Sequence, residues 1–287
     1  MKKNKNLLIQ PFLKWAGGKR QLIPQMEKYL KSIKYTNYYE PFIGGGSILF
    51  YLQPNKAVVG DYNKDLIECY KCIKYNYDEL IDKLKEYEDK NNEEDFYKIR
   101  EVDRKEEYKK WTSVERAARL IYLNRTCYNG LFRLNSAGQF NTPFGKYKNP
   151  NICNTPVLKA LHEYFTNNDI EFRQGDFEEC CKDVPKGSLI YFDPPYDRFD
   201  DQVNFVGYTE NGFTRKDQER LKKLCDKLID NDCTVIISNS STSFIKELYN
   251  DKDKYTIHTL MAKRNINSNA QKRGEIKEVL IIGKREK

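Results

Sequence analysis

Tyr39-Glu40-Pro41-Phe42-Ile43-Gly44-Gly45-Gly46-Ser47 carries the chain out of a short apolar segment, through three consecutive glycines, into a run that reads as a helix. Glycines at a strand–turn–helix junction permit a sharp turn and let the backbone approach a ligand closely. The junction lacks the lysine of a nucleoside-triphosphate loop, so that class is disfavoured. Further on, Gly60-Asp61-Tyr62-Asn63 closes a second apolar segment. An acid about twenty residues past such glycines suits hydrogen bonds to ribose hydroxyls. The other reading of Asp61, taken alone, is a helix N-cap.

Working outward, seven segments read as strands, being apolar or β-branched and bounded by turn residues: 37–42, 56–61, 169–175, 188–193, 233–238, 254–262 and 277–284. Helical patterns separate most of them. The clearest covers 215–230, where Leu221, Leu224, Cys225, Leu228 and Ile229 recur at helical spacing behind a Thr214–Asp217 capping box. Alternating strands and helices predict an α/β fold, a Rossmann-like parallel sheet covered on both faces. The last two strands, joined by a polar loop, should form a terminal antiparallel hairpin. The alternation breaks between residues 64 and 152. There, helical patterns over 66–90 and 114–124 (the latter behind a Thr112–Glu115 box) precede a Gly/Asn/Pro-rich stretch, 128–150. This predicts a helical insertion, 64–152, in a domain made of 1–63 and 153–287. The acids near Asn91–Asp95 read as a solvated turn.

The 287 residues are 39% hydrophobic and 32% charged, enough for a packed core in a globular chain. No apolar run approaches the roughly 18–20 residues of a membrane span. Leu7 to Ile9 is too short for the apolar part of a signal peptide. These features predict a cytoplasmic protein with no membrane partner. Of eight cysteines, Cys69 and Cys72 form a C-x-x-C without a second pair, and His162 and His258 lack neighbours at ligand spacing. Reduced, buried thiols and no metal are expected. The net charge of +8 is uneven. Residues 125–150 carry Arg125, Arg133, Lys146 and Lys148 and no acid; 263–274 carry Lys263, Arg264, Lys272 and Arg273 and no acid. Such stretches suit a nucleic-acid partner, although the second also reads as a solvated hairpin tip and the first as a plain helical subdomain with Tyr128 and Leu131 in its core.

Asp193-Pro194-Pro195-Tyr196 follows the fourth strand. Two prolines directly after a strand end its pairing and fix the backbone. They hold an acid and an aromatic ring at the carboxyl edge of the sheet, where open α/β sheets bind ligands. The amine of adenine is a poor nucleophile because its lone pair is delocalised into the ring. Asp193 and the Pro194 carbonyl can each accept one amine hydrogen, freeing the lone pair for attack on a methyl donor, while Tyr196 stacks on the flipped base. Cytosine C5 chemistry needs a nucleophilic cysteine, usually after a proline, and no cysteine here follows one. Near the N-terminus, Phe12-Leu13-Lys14-Trp15-Ala16-Gly17-Gly18-Lys19 offers Lys19 to a cofactor carboxylate and Trp15 either to its apolar part or to the core.

Taken together, F-L-K-W-A-G-G-K, E-P-F-I-G-G-G-S, G-D-Y-N, N-R-T-C-Y-N-G-L-F-R-L-N, F-N-T-P-F-G-K-Y-K and D-P-P-Y, in that order, resemble the Dam-type (D12 class, alpha order) N6-adenine DNA methyltransferases over nearly the whole chain. The resemblance implies S-adenosylmethionine as cofactor and double-stranded DNA as partner. It makes Asp193, Pro194, Pro195 and Tyr196 the catalytic motif. It places Trp15, Lys19, Glu40, Phe42, Gly44, Asp61, Asp176, Phe177 and Asp193 around the cofactor, and Lys14, Tyr128, Asn129, Leu131, Arg133, Pro143 and Lys146 on the DNA. In it, Tyr128 wedges into the duplex, Arg133 reads a guanine and the target is GATC. Where some members carry arginine this chain has Lys146, which cannot make the same planar fork. Rival readings are a cytosine-N4 or RNA-adenine methyltransferase on the same fold, or a catalytically silent DNA-binding module. The leading Asp of D-P-P-Y favours adenine over cytosine N4.

Overall fold

The computed structural model describes residues 5–197, 212–263 and 275–285. The chain runs α1 (Ile23–Leu30), β1 (Tyr38–Glu40), α2 (Ser47–Leu52), β2 (Lys56–Asp61), α3 (Lys64–Tyr75), α4 (Tyr77–Asp89), α5 (Glu93–Glu101), α6 (Ser113–Thr126), α7 (Thr155–Thr166), β3 (Asp169–Gln174), α8 (Phe177–Cys180), β4 (Leu189–Phe192), α9 (Arg215–Asp230), β5 (Thr234–Ser240), α10 (Ser243–Leu248), β6 (Tyr255–Lys263) and β7 (Glu275–Gly283). The strands form one seven-stranded sheet in the order β3-β2-β1-β4-β5-β7-β6. β1 pairs in parallel with β2 and β4, and β4 with β5; β7 runs antiparallel to both β5 and β6. All seven expected strands are present, and the terminal hairpin forms as expected.

Sequence order alone would set β6 against β5, yet β7 takes that place. The reason is visible in the side chains. Val279, Leu280 and Ile281 of β7 are all buried, as a strand covered on both faces requires. On β6, buried Leu260 and Ala262 flank exposed Met261, the alternation of a strand with one face toward solvent.

The chain divides into two compact units. One comprises Met1–Gly18, Gly44–Asn55 and Asn63–Gln174; the other comprises Lys19–Ile43, Lys56–Tyr62 and Gly175–Lys287. In the second, Tyr39, Ile190, Phe192, Val235, Ile237 and Ile281 of the strands pack with Leu221, Cys225 and Ile229 of α9. The helix begins where its capping box places it. The Thr214 side chain accepts from the Asp217 backbone N–H, and Asp217 returns a bond to the Thr214 backbone N–H. In the first unit α6 packs against α3 and α4, and the Thr112–Glu115 box caps α6 as expected.

Two local expectations are corrected. The helical pattern over 66–90 is two helices that break at Asn76, which has φ −131° and ψ 41°. Asparagine is a poor interior helix residue, and Asp78 and Glu79 just beyond it favour a new helix N-terminus. The acids near residue 93 are likewise no solvated turn. Asn92 caps the Asp95 N–H, and Glu93, Glu94 and Asp95 form the first turn of α5, where negative charge offsets the helix dipole. All eight cysteines are free and buried, and burial pushes the Cys69 thiol well above its ordinary range. Residues 264–274, most of the second basic stretch, lie outside the described residues.

Candidate active site and recognition segment

In the second unit the strand order reverses between β1 and β4, and ligands of open α/β sheets bind outside the carboxyl ends at such a point. β1 ends at Glu40, which is 2% exposed and accepts a hydrogen bond from the Tyr38 hydroxyl at 2.8 Å. Next comes Phe42, half-buried, stacked on Phe177 at 5.5 Å between centroids and edge-on to Phe213 at 5.8 Å. These rings form an apolar wall at this edge. Asp61 ends β2; it does not cap α3, because Asn63 does that by accepting from the Leu66 N–H. Asp176 caps the short α8 by accepting from the Glu178 N–H and pairs with Arg220 at 3.1 Å.

β4 ends at Phe192, and Asp193 follows it into the double proline. Its carboxylate meets the Lys19 ammonium at 3.0 Å, with the two side chains 19% and 7% exposed. The same ammonium lies 4.5 Å from the centre of the Tyr196 ring. Burial pushes the Asp193 carboxyl up to about 6, against the pull of Lys19, and Glu278 adds to the rise. The motif is anchored from behind. Buried Gln218 of α9 donates to the Pro195 carbonyl at 2.9 Å, and buried Asn239 of β5 donates to Gln218 at 3.1 Å. Asp197 accepts from Thr242 at 2.7 Å and from Arg215 at 3.1 Å. The sheet and α9 thus set the backbone at the point where acid and ring must be held.

In the first unit the glycine run is shaped by aromatic neighbours. Gly44 has φ +47°, and its carbonyl accepts from the Tyr70 hydroxyl at 2.9 Å; a Cβ on it would lie 3.0 Å from the Trp15 ring. Trp15 is half-buried and stacks on Phe132 at 5.1 Å. The segment after α6 folds back on itself through a Cys127–Phe144 bridge and a Leu134–Phe140 bridge. Its outer surface carries Tyr128 (58% exposed), Leu131 (37% exposed), Asn129, Arg133, Pro143 and Lys146, all solvent-facing, as is Lys14. Neither Tyr128 nor Leu131 sits in a core. Arg133 donates from Nε to the Asn141 side-chain oxygen at 2.7 Å and from one terminal nitrogen to the Asn141 carbonyl at 3.2 Å, which fixes the plane of its guanidinium.

A family model of the D12 class N6 adenine-specific DNA methyltransferases matches residues 15–266. The chain belongs to that family. Type II methyltransferase M1.LlaDCHI of Lactococcus lactis subsp. cremoris is 41% identical to it over 281 residues, covering 98% of this chain and 97% of that protein. Type II methyltransferase M.MjaIII of Methanocaldococcus jannaschii is 39% identical over 291 residues, covering 96% and 99%. The DNA adenine methylase of Escherichia coli K12 is 32% identical over 286 residues, covering 99% and 97%. Among the described residues of this D12 class methyltransferase, no group of three or more His, Cys, Asp or Glu side chains could hold a metal ion, and no helix is long and apolar enough to cross a membrane.

Sequence reasoning about this D12 class chain missed the residues that hold the surface in place. Asn124, fully buried at the end of α6, accepts from the Lys14 N–H and donates to the Lys14 and Gly130 carbonyls, at 2.8, 2.8 and 2.9 Å. One amide therefore ties the N-terminal segment to the exposed turn. Asp103 and Arg119, 8% and 7% exposed and 2.7 Å apart, tie the same segment to α5 and α6: Asp103 also accepts from the Phe140 N–H. Buried polar residues on a helix that otherwise reads as apolar were the available signal. Asn124→Ala leaves three backbone groups without this partner, and is expected to cost about 2–4 kcal/mol. Urea unfolding checks this; a loss below about 0.5 kcal/mol would deny Asn124 the role of clamp.

Proposed function

We propose that the protein transfers a methyl group from S-adenosylmethionine to N6 of an adenine flipped out of duplex DNA, at GATC. The observation that carries this reading is the rigidly held Asp193–Tyr196 motif at the carboxyl end of β4, with a buried Lys19 against both its acid and its ring. The residues present fit the cofactor. Phe42 and Phe177 offer an aromatic wall, Asp61 an acceptor at the end of β2, and Lys19 a cation for a carboxylate. When bound, the cofactor supplies a methyl group on a cationic sulfur.

The protein's part is to make the amine a better nucleophile and to aim it. Ionised Asp193 accepts one N6 hydrogen and the Pro194 carbonyl the other, so the nitrogen lone pair leaves conjugation and can form the new N–C bond as the methyl's bond to sulfur breaks, with the surplus N6 proton released to solvent. Tyr196 stacks on the base, replacing part of the stacking lost on flipping. The prolines and the Gln218 bond hold these groups without reorganisation during the reaction. Residues 64–152 serve as the target-recognition domain: Tyr128 as wedge, Arg133 as guanine reader, and Lys14, Asn129, Leu131, Pro143 and Lys146 as further contacts. The working compartment is the cytoplasm.

The Asp193 carboxyl must be ionised to accept a hydrogen, and its pKa is raised to about 6. The kcat/KM for the cofactor, which reports the free enzyme, is therefore expected to be level at neutral pH. Below pH about 6 it should fall tenfold per unit. Steady-state assays with methyl-labelled cofactor on a GATC duplex test this, and full activity at pH 5 would refute the role of Asp193 as acceptor.

A further inference from the structure

Glu278 belongs to none of the sequence motifs, yet it reaches the sheet edge that carries Asp193 and Tyr196. β7 runs against the parallel strands, so its first residues lie beside the carboxyl end of β5, with Glu278 in register with Ser240. Ser240 in turn donates to the Asp197 carbonyl at 2.6 Å. From this position the Glu278 carboxylate accepts the Tyr196 hydroxyl at 2.8 Å. The Tyr196 ring is thus held at two points: its hydroxyl by Glu278 and its face by the Lys19 ammonium at 4.5 Å.

A carboxylate is a costly choice for this job. Asp193 already occupies the edge, and a second negative charge makes its ionisation harder. A neutral acceptor would satisfy the tyrosine without that penalty. The charge does strengthen the bond, since hydrogen bonds to ionised acceptors are about twice as strong as neutral ones. A ring fixed before the base arrives loses less freedom on stacking. We infer that Glu278 is a positioning residue for methyl transfer, holding the Tyr196 ring in the plane on which the flipped adenine stacks. This rests on the proposed function of the motif.

Glu278→Gln keeps an acceptor of the same shape and removes the charge; Glu278→Ala removes both; Tyr196→Phe removes the donor and keeps the charge. The groups facing Asp193 are Lys19 before α1, Glu278 on β7, Tyr191 on β4 and Tyr196 in its own loop; of these, only Glu278 changes charge in the first two variants. Each protein is assayed on a GATC duplex for kcat, KM and pH profile, and on a duplex with 2-aminopurine at the target position for the fluorescence of the flipped base. Glu278→Ala and Tyr196→Phe are expected to lose kcat about tenfold, with smaller changes in KM and an altered 2-aminopurine signal. Glu278→Gln should retain most of kcat at pH 8. In both Glu278 variants the acid limb should move to lower pH, because the charge that raised Asp193 is gone; in Tyr196→Phe it should stay. Wild-type kcat and fluorescence in Glu278→Ala would overturn the inference, as would equal losses in Gln and Ala with an unmoved limb. A wild-type protein that methylates no duplex would instead overturn the proposed function, and the inference with it.

Discussion

Asp193→Ala is expected to reduce methyl transfer by at least about a thousandfold while the chain stays folded. The variant removes the acceptor proposed to act on the reacting nitrogen, and losses of this size follow when such a group is deleted from a preorganised site. Folding should survive because the carboxylate is not a net support. Its pKa is raised to about 6 from an ordinary 3.8, so its contribution to stability is present below pH about 4 and is lost as pH rises through 6. Burial thus makes the ionised carboxylate costly at neutral pH, and truncation removes that cost. Against that gain, truncation takes from the buried Lys19 its partner at 3.0 Å. The two effects oppose each other, and the melting temperature should move by only a few degrees. Cofactor binding, followed by calorimetry, should persist in weakened form. Near-normal turnover in this variant would remove the acceptor mechanism, and a chain that unfolds would show that the ion pair outweighs the desolvation cost.

Arg133→Ala is expected to relax discrimination at one guanine of the target by about 1–3 kcal/mol, roughly ten- to a hundredfold. Binding to unrelated duplex should fall far less, since phosphate contacts carry most of that affinity. The reason is preorganisation. Asn141 holds the guanidinium through Nε and one terminal nitrogen, so the planar fork is presented with little freedom left to lose. Competition binding with a matched duplex and one altered at each guanine in turn checks this. Equal losses on matched and altered duplexes would assign Arg133 to the backbone and not to a base.

The sheet was legible because strand ends are marked by chemistry that survives in one dimension. The strands β1 to β4 are short runs closed by a glycine, an acid or a proline, β5 is an apolar run closed by serines, and helix 215–230 announces its own cap. The break at Asn76 was hidden because apolar spacing continues across it, with Tyr70 and Ile73 buried before the break and Leu80 and Ile81 after it. The exchange of β6 and β7 was hidden because hairpin pairing is local, whereas the choice of neighbour depends on which strand has two apolar faces. At the site, Asp193 and Tyr196 stood out through the double proline. Their supports did not. Gln218, Asn239 and Glu278 lie from 25 to 85 residues beyond Asp193 in the chain. Asn124 and Lys14 meet across a separation of 110 residues. Residue types such as these are common on surfaces, and only folding reveals that they converge on one backbone turn.

N6-adenine transfer at GATC is read out by mapping modified bases. Unmethylated plasmid is incubated with the purified protein and S-adenosylmethionine, then read by single-molecule sequencing. The predicted result is N6-methyladenine confined to GATC and absent when the cofactor is withheld. Methyl groups on cytosine N4, adenine methylation with no relation to GATC, or no modified base at all would contradict it.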